Sequence, residues 1–270
     1  LEGAIKMDNK ITVKSNLYDI PAIFSYPKVG KNFPTVILCH GTGSSKNEVG
    51  NLFVRLAEFL RERGIASIRF DFAGCGESRA KKQDLTFYGE VDDLEKIYAY
   101  IRNNEKVDPC RIAILGFSQG ARVMAEFLGK YPEKINAAIS WSGACHNGEG
   151  VFAGWFQEYY EEAVKNGYTK IPMPWRDDLI LSKQWFDDIR NSSPMESLSK
   201  YNGAILAVSG TEDALVPYTH AKEIVGICKG KVCESKIIED ADHTFNVLEK
   251  DQSIADRVVK DTADWITINI

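Results

Sequence analysis

A chain of 270 residues, 44% of them hydrophobic and 26% charged, carries enough apolar mass for a sizeable core, as one large α/β domain or two small ones. Its net charge of −5 comes without a basic stripe, which argues against nucleic acid as a partner. No apolar run approaches the ~18 residues that a bilayer span needs, so no membrane role is expected either.

In chain order, residues 10–15 and 18–26 read as two antiparallel strands with a tight link, closed by Pro27. Residues 35–40 form a fully apolar run, a buried strand that ends in His40-Gly41-Thr42-Gly43-Ser44. Residues 48–63 have helical spacing and stop at Gly64. A second buried strand at 65–70 runs into the glycine-rich turn 71–78. Residues 90–102 are helical, 111–115 a strand, Gln119–Lys130 a helix and Ala137–Trp141 a strand. From 144 to 200 the alternation breaks. It resumes with a strand at 203–209, a helix at 217–228, a strand at Cys233–Ile238 and a closing helix at 254–266. Strands separated by helices of roughly ten to fifteen residues mean βαβ units and a mainly parallel sheet flanked by helices. Ligands of such sheets sit at the carboxyl ends of the strands.

The break is rich in aromatic residues: Phe152, Trp155, Phe156, Tyr159, Tyr160, Tyr168, Trp175, Trp185 and Phe186, with Ile171-Pro172-Met173-Pro174-Trp175 among them. A long interruption without a role is uncommon. The expected organisation is a core domain of residues 1–143 and 201–270 with an inserted cap subdomain, 144–200, over the strand ends. The plainer alternative is an extra helical subdomain whose aromatics pack on themselves.

The stretch from Ile112 to Ala125 carries the chemistry. A buried β run ends at Gly116-Phe117-Ser118-Gln119-Gly120 and a helical run follows at once. Small residues suit a sharp turn in which helix and strand pass closely, with Ser118 at the apex. The pentapeptide alone is weak, since two such glycines flank a serine by chance once per ~200 serines. Its setting between strand and helix gives it meaning.

Serine is a poor nucleophile until an oriented base takes its proton. Of the four histidines, His40 sits at a strand end, where a structural or oxyanion-loop role fits better than that of base. His146 opens the insert as an exposed loop residue, and His220 is expected at the surface of its helix. His243, in Asp240-Ala241-Asp242-His243-Thr244-Phe245 between the last strand and the last helix, is the candidate base. The acid should fall between serine and histidine. Asp213, in Ser209-Gly210-Thr211-Glu212-Asp213, is preferred to Glu212 and to Asp242, which reads as a turn residue. Backbone N–H groups of Thr42 and Gln119 are the candidate oxyanion donors. Gly41-Thr42-Gly43 lacks the Gly-Lys-Ser/Thr ending of a phosphate-binding loop, and 71–78 lacks a full dinucleotide fingerprint, so the latter reads as a structural turn.

The six cysteines, Cys39, Cys75, Cys110, Cys145, Cys228 and Cys233, are scattered, with no Cys-x-x-Cys and no Cys/His run at zinc spacing. They are expected to be free thiols in a reducing compartment. With no signal-peptide pattern at the start, that points to the cytoplasm. The sequence opens on Leu1, not Met, which leaves the native N-terminus open.

The set His40-Gly41, Asp71-Phe72-Ala73-Gly74-Cys75-Gly76-Glu77-Ser78, Gly116-Phe117-Ser118-Gln119-Gly120, Asp213 and His243 resembles the α/β-hydrolase superfamily from about Val36 onward. Ser-Gln-Gly after the strand, an insert after the sixth strand and the overall length resemble bacterial cinnamoyl/feruloyl-type esterases. That resemblance implies cleavage of short-chain or aryl-acrylate esters beneath a small cap, with no cofactor and no metal. Two positions depart from it. Phe117 stands where the family usually has His, and Phe186 falls where a cap tyrosine meets the phenolic end of a hydroxycinnamate. The expectation is a serine esterase with a small-molecule ester as partner, a homodimer remaining open. The alternatives are an acyl-peptidase or aminopeptidase, for which Glu158, Glu161, Glu162, Asp177 and Asp178 offer amine anchors, a thioesterase with the same triad, and a non-catalytic receptor.

Overall fold

The computed structural model describes residues 8–15, 17–146, 148–173 and 177–270. Two strands, β1 (Asp8–Lys14) and β2 (Asp19–Ser25), pair antiparallel at one edge. There follow β3 (Phe33–Cys39), α1 (Leu52–Glu62), β4 (Ala66–Phe70), α2 (Phe87–Arg102), β5 (Val107–Phe117), α3 (Gln119–Lys130) and β6 (Ala137–Trp141). The insert then contributes α4 (Gly148–Val151), α5 (Ala153–Asn166), β7 (Tyr168–Ile171), β8 (Leu179–Ser182), α6 (Lys183–Asn191) and α7 (Pro194–Leu198). The chain closes with β9 (Ala204–Gly210), α8 (Thr219–Gly226), β10 (Cys233–Ile238) and α9 (Ser253–Asn269).

The eight-stranded sheet has the order β1-β2-β4-β3-β5-β6-β9-β10, and every pairing from β4 to β10 is parallel. Its central strands are buried on both faces, which explains their unbroken apolar sequences. Along β3, Val36 and Leu38 join the core beneath α1 and α9, while Ile37 and Cys39 join the core shared with α2 and α3. Each strand thus feeds two cores by simple alternation.

Helix boundaries differ from the periodicity where backbone conformation intervenes. α1 starts at Leu52 rather than 48 because Glu48, Gly50 and Asn51 are left-handed, with φ of 58°, 56° and 59°. α2 starts three residues early, since the Thr86 hydroxyl accepts the Gly89 N–H at 3.0 Å and caps the first turn.

The insert is not all helical. β7 and β8 form an antiparallel hairpin, with Tyr168 opposite Ser182 and Ile171 opposite Leu179. Its rings pack on one another: Phe152 against Trp185 at 5.2 Å, Phe156 against Phe186 at 5.1 Å, Trp185 against Phe186 at 5.2 Å. Pro174 and Trp175 lie outside the described residues.

One cysteine expectation is overturned. Cys228 and Cys233 form a disulfide, because the turn between α8 and β10 brings their Cα atoms to 6.0 Å. Cys39, Cys75 and Cys145 are buried thiols and Cys110 is an exposed one. No described helix is long and apolar enough to cross a membrane.

Candidate active site

Ser118 sits between the end of β5 and the first turn of α3, with φ 53° and ψ −118°. A non-glycine residue held there carries ~1–3 kcal/mol of strain, which the surroundings must over-determine. Ser118 N–H donates to Trp141 O at 2.8 Å, tying the turn to β6. The flanking glycines permit close approach. A Cβ on Gly116 would lie 2.3 Å from Gly120 O, and one on Gly120 would lie 2.1 Å from Cys39 O. The Gly-x-Ser-x-Gly spacing is therefore a packing requirement between β3, β5 and α3.

His243 Nε2 lies 3.1 Å from Ser118 Oγ, and its Nδ1 lies 2.8 Å from Asp213 Oδ2. Strand ends bring the three together: Ser118 follows β5, Asp213 follows β9 and His243 follows β10. The Asp213 side chain is fully buried, and its other oxygen accepts N–H groups of Leu215 at 2.9 Å and Val216 at 2.8 Å. An ionised carboxylate only accepts, so it favours the tautomer with hydrogen on Nδ1 and a lone pair on Nε2 facing the serine hydroxyl. The loop carrying His243 is itself braced. Asp242 Oδ1 accepts the N–H groups of Thr244 and Asn246, both at 2.8 Å, and the Ser142 hydroxyl donates to His243 O at 2.8 Å. Asp242 thus shapes the turn through these local bonds. Phe117 lies beside the His243 ring, 5.2 Å between centroids.

Thr42 and Gln119 face each other across the nucleophile turn. The Thr42 hydroxyl donates to Gln119 Oε1 at 3.0 Å, and Gln119 Nε2 donates to Glu90 Oε2. Glu90 is buried on α2, and burial pushes its carboxyl up to about 8. Sequence spacing missed this residue, which looks like the polar start of an amphipathic helix. The loop after β3 is also held by Glu48, which accepts Gly41 N–H at 2.8 Å and the Ser44 hydroxyl at 2.6 Å. His40 is fully buried. Its Nδ1 lies 2.8 Å from Gly41 O and its Nε2 accepts Phe72 N–H at 3.2 Å. Burial lowers its pKa, so it is a neutral brace between two strand ends. Asp71 plays a similar part in the turn 71–78, accepting N–H groups of Lys46 at 2.7 Å and Glu77 at 2.9 Å and pairing with Lys46 Nζ.

His220 departs from the sequence expectation: it is buried, 5% exposed, not on the surface. Its Nδ1 accepts Cys145 N–H at 3.2 Å, and burial lowers its pKa. His146 is half-exposed and pairs with Glu223 at 2.8 Å.

A cleft of about 430 Å³ runs between the core loops and the insert, with Gly43, Gly74, Gly76, Leu85, Leu179 and Ile180 in its lining. Ser118 is not in that lining, but Gly43 adjoins Thr42. Phe186 is fully buried among Phe156, Tyr160 and Trp185, so it cannot meet a ligand in the cleft. Both ends of the insert meet at Arg122 on α3. Its guanidinium donates to His146 O and, at 2.5 Å, to the Ser192 hydroxyl, and lies over the Phe87 ring. Burial lowers Arg122 to about 10. Nothing in the local sequence marks Arg122 or Glu90, because their partners lie far away along the chain.

A strained serine between a parallel strand and a helix, with histidine and aspartate arriving from later strand ends, defines the α/β-hydrolase class. The α/β-hydrolase fold model matches residues 34–171, about half of the sequence, and the chain belongs to that family. Among curated proteins it is similar to the uncharacterized protein YfhR of Salmonella typhimurium, 24% identical over 83% of this chain and 68% of that one. It is also similar to the human mitochondrial palmitoyl-protein thioesterase ABHD10, 23% identical over 77% of this chain and 66% of that one. The chain thus spans about two thirds of the length of each. Among solved structures, Est1E from Butyrivibrio proteoclasticus with bound ferulic acid superposes with a TM-score of 0.80 at 21% identity, over 96% of this chain and 100% of that one. That likeness shows a shared fold over nearly the whole chain.

Proposed function

We propose that the protein is a serine hydrolase that cleaves carboxylic esters with a short-chain acyl or an aryl, cinnamoyl-type acid, through an acyl-enzyme. The observation that carries this is the contact chain from Ser118 Oγ through His243 to Asp213, at 3.1 and 2.8 Å. His243 Nε2 takes the hydroxyl proton as Ser118 Oγ bonds to the ester carbonyl carbon. Asp213 holds the ring and stabilises the imidazolium. The carbonyl oxygen becomes an oxyanion facing the N–H groups of Thr42 and Gln119, a pair of donors worth ~3 kcal/mol each to the barrier. The intermediate collapses, His243 protonates the leaving alcohol, and the acid remains on Ser118. Water then bonds to the acyl carbon as it gives a proton to His243, and His243 passes that proton to Ser118 Oγ as the Oγ–acyl bond breaks and the acid leaves.

Residues 144–200 act in this reading as a cap. The cleft of about 430 Å³ between it and the core loops reaches Gly43, next to Thr42. The burial of Phe186 means that recognition of a phenolic ring would need another group. A second reading, thioester cleavage by the same residues, is favoured by the similarity to the thioesterase ABHD10. The test is hydrolysis of p-nitrophenyl esters from acetate to laurate, methyl ferulate and an acyl-thioester series, by wild type and Ser118→Ala. A short-chain or ferulate preference that falls at least ~10⁴-fold in the variant is the expected result. Thioester turnover without ester turnover selects the second reading, and full activity in Ser118→Ala defeats both.

A further inference from the structure

Sequence spacing offers no zinc pattern, but the fold assembles one from two distant segments. Cys145 and His146 follow β6 at the root of the insert. His220 and Glu223 stand three residues apart on α8, a spacing that puts both side chains on one helix face. The candidate ligand atoms of Cys145, His146 and His220 all lie within 4.8 Å of one another. The two imidazoles meet edge to face, 4.5 Å between centroids. Glu223 Oε2 lies 2.8 Å from His146 Nε2.

We propose that Cys145, His146 and His220 form a binding site for a zinc-class divalent cation, with Glu223 orienting His146. The donor set is one sulfur and two imidazole nitrogens, which suits zinc and excludes magnesium and calcium, whose sites are built from oxygen. In a tetrahedral site with bonds of ~2.0–2.3 Å, neighbouring ligand atoms are ~3.5 Å apart, so closure requires side-chain shifts of about 1 Å. A carboxylate on the second nitrogen of a ligating imidazole is the usual way such rings are aimed. Here Glu223 engages Nε2 of His146 and leaves the Nδ1 lone pair for the metal. Binding replaces the 3.2 Å bond in which His220 Nδ1 accepts Cys145 N–H. The Cys145 thiol gives its proton to solvent as the sulfur–metal bond forms.

Charge and access agree with the assignment. The thiolate and the Glu223 carboxylate together balance a divalent cation. The neighbouring Arg122 guanidinium, which donates to His146 O, interacts with Glu126 first and with the Cys145 sulfur second. Cys145 and His220 are buried, whereas the His146 and Glu223 side chains are 51% and 39% exposed, giving an entry side. A bound ion would tie the root of the insert to α8, the helix that begins six residues after Asp213.

The full chain, stripped with chelator and kept free of reductant, is titrated with Co²⁺ and then competed with Zn²⁺. One equivalent should produce the near-ultraviolet charge-transfer band of a cobalt–thiolate bond, abolished in Cys145→Ser and kept in Cys110→Ser, which removes an exposed thiol. Glu223→Gln should weaken Zn²⁺ ~10–100-fold, and His146→Gln at least as much. Both act on half-exposed side chains, so they decide the matter if Cys145→Ser fails to fold. No charge-transfer band in wild type, a band that survives Cys145→Ser, or Zn²⁺ affinity unchanged in His146→Gln and Glu223→Gln overturns the site.

Discussion

The strand-end edge and the insert are built on opposite plans. Along the edge, polar groups hold one another in place: Asp213 accepts from two backbone N–H groups besides touching His243, and Asp242 braces the loop behind it. In the insert, aromatic rings do most of the packing, and at its two ends Arg122 holds it to α3. Directional bonds fix positions to fractions of an ångström, as proton transfer demands. Stacked rings hold a shape and tolerate change at the rim. Substitutions in the two regions should therefore fail differently.

The largest effect is expected at the edge. Asp213→Asn keeps the acceptor for Leu215 and Val216 but no longer selects the His243 tautomer, so kcat should fall ~10⁴-fold with a small change in thermal midpoint. Steady-state kinetics on the best ester checks it, and a loss under tenfold would remove Asp213 from the relay. Next is Gly120→Ala, whose methyl would stand 2.1 Å from Cys39 O. It should cost about 3 kcal/mol in a denaturant melt, as overpacking against backbone does. Arg122→Met should leave core amides protected but speed hydrogen exchange across 148–191 by about tenfold, since both insert ends lose a donor. Uniform exchange over the whole chain would mean that insert and core open together.

Glu90 links stability to pH. Burial raises its carboxyl from an ordinary 4.5 to about 8. The folded state therefore holds a proton that the unfolded state has released. Its contribution is full below about pH 4.5 and is lost as pH rises through about 8, at up to ~1.4 kcal/mol per pH unit. Denaturant melts of Glu90→Gln should show a flatter slope from pH 5 to 8 than wild type, and identical slopes would assign that carboxyl an ordinary pKa. The smallest effect belongs to the insert. Gly154 lies inside α5, and a methyl added to it would meet nothing within 4 Å, so Gly154→Ala should stabilise by ~0.5–1 kcal/mol and leave turnover unchanged.

The inner strands of the sheet were legible because they are buried on both faces and read as apolar runs between helices. Ser118 and Asp213 stood out for a related reason, each lying directly after such a run, whereas His243 follows the half-exposed edge strand β10 and stood out by its polar loop before the last helix. The rest depends on partners that no local pattern announces. Glu90 meets Gln119 across 29 residues, and Arg122 meets Ser192 across 70. His220 was expected at the surface of its helix after Pro217, yet its ring accepts the Cys145 N–H in a buried contact. The Cys228–Cys233 bond follows from a turn whose closure composition does not disclose. The hairpin of β7 and β8 was hidden in a stretch whose aromatic content suits helix and strand equally.

The joint at Arg122 also bears on redesign. A chain that leaves and re-enters the sheet within reach of one guanidinium behaves like a cassette in a single socket. Another cassette need present only a carbonyl at the entry and a hydroxyl at the exit to be seated there. Under the proposed function, chemistry at the strand ends can then stay constant while residues 144–200 are exchanged wholesale, and new substrate ranges become accessible by transplantation rather than by point substitution.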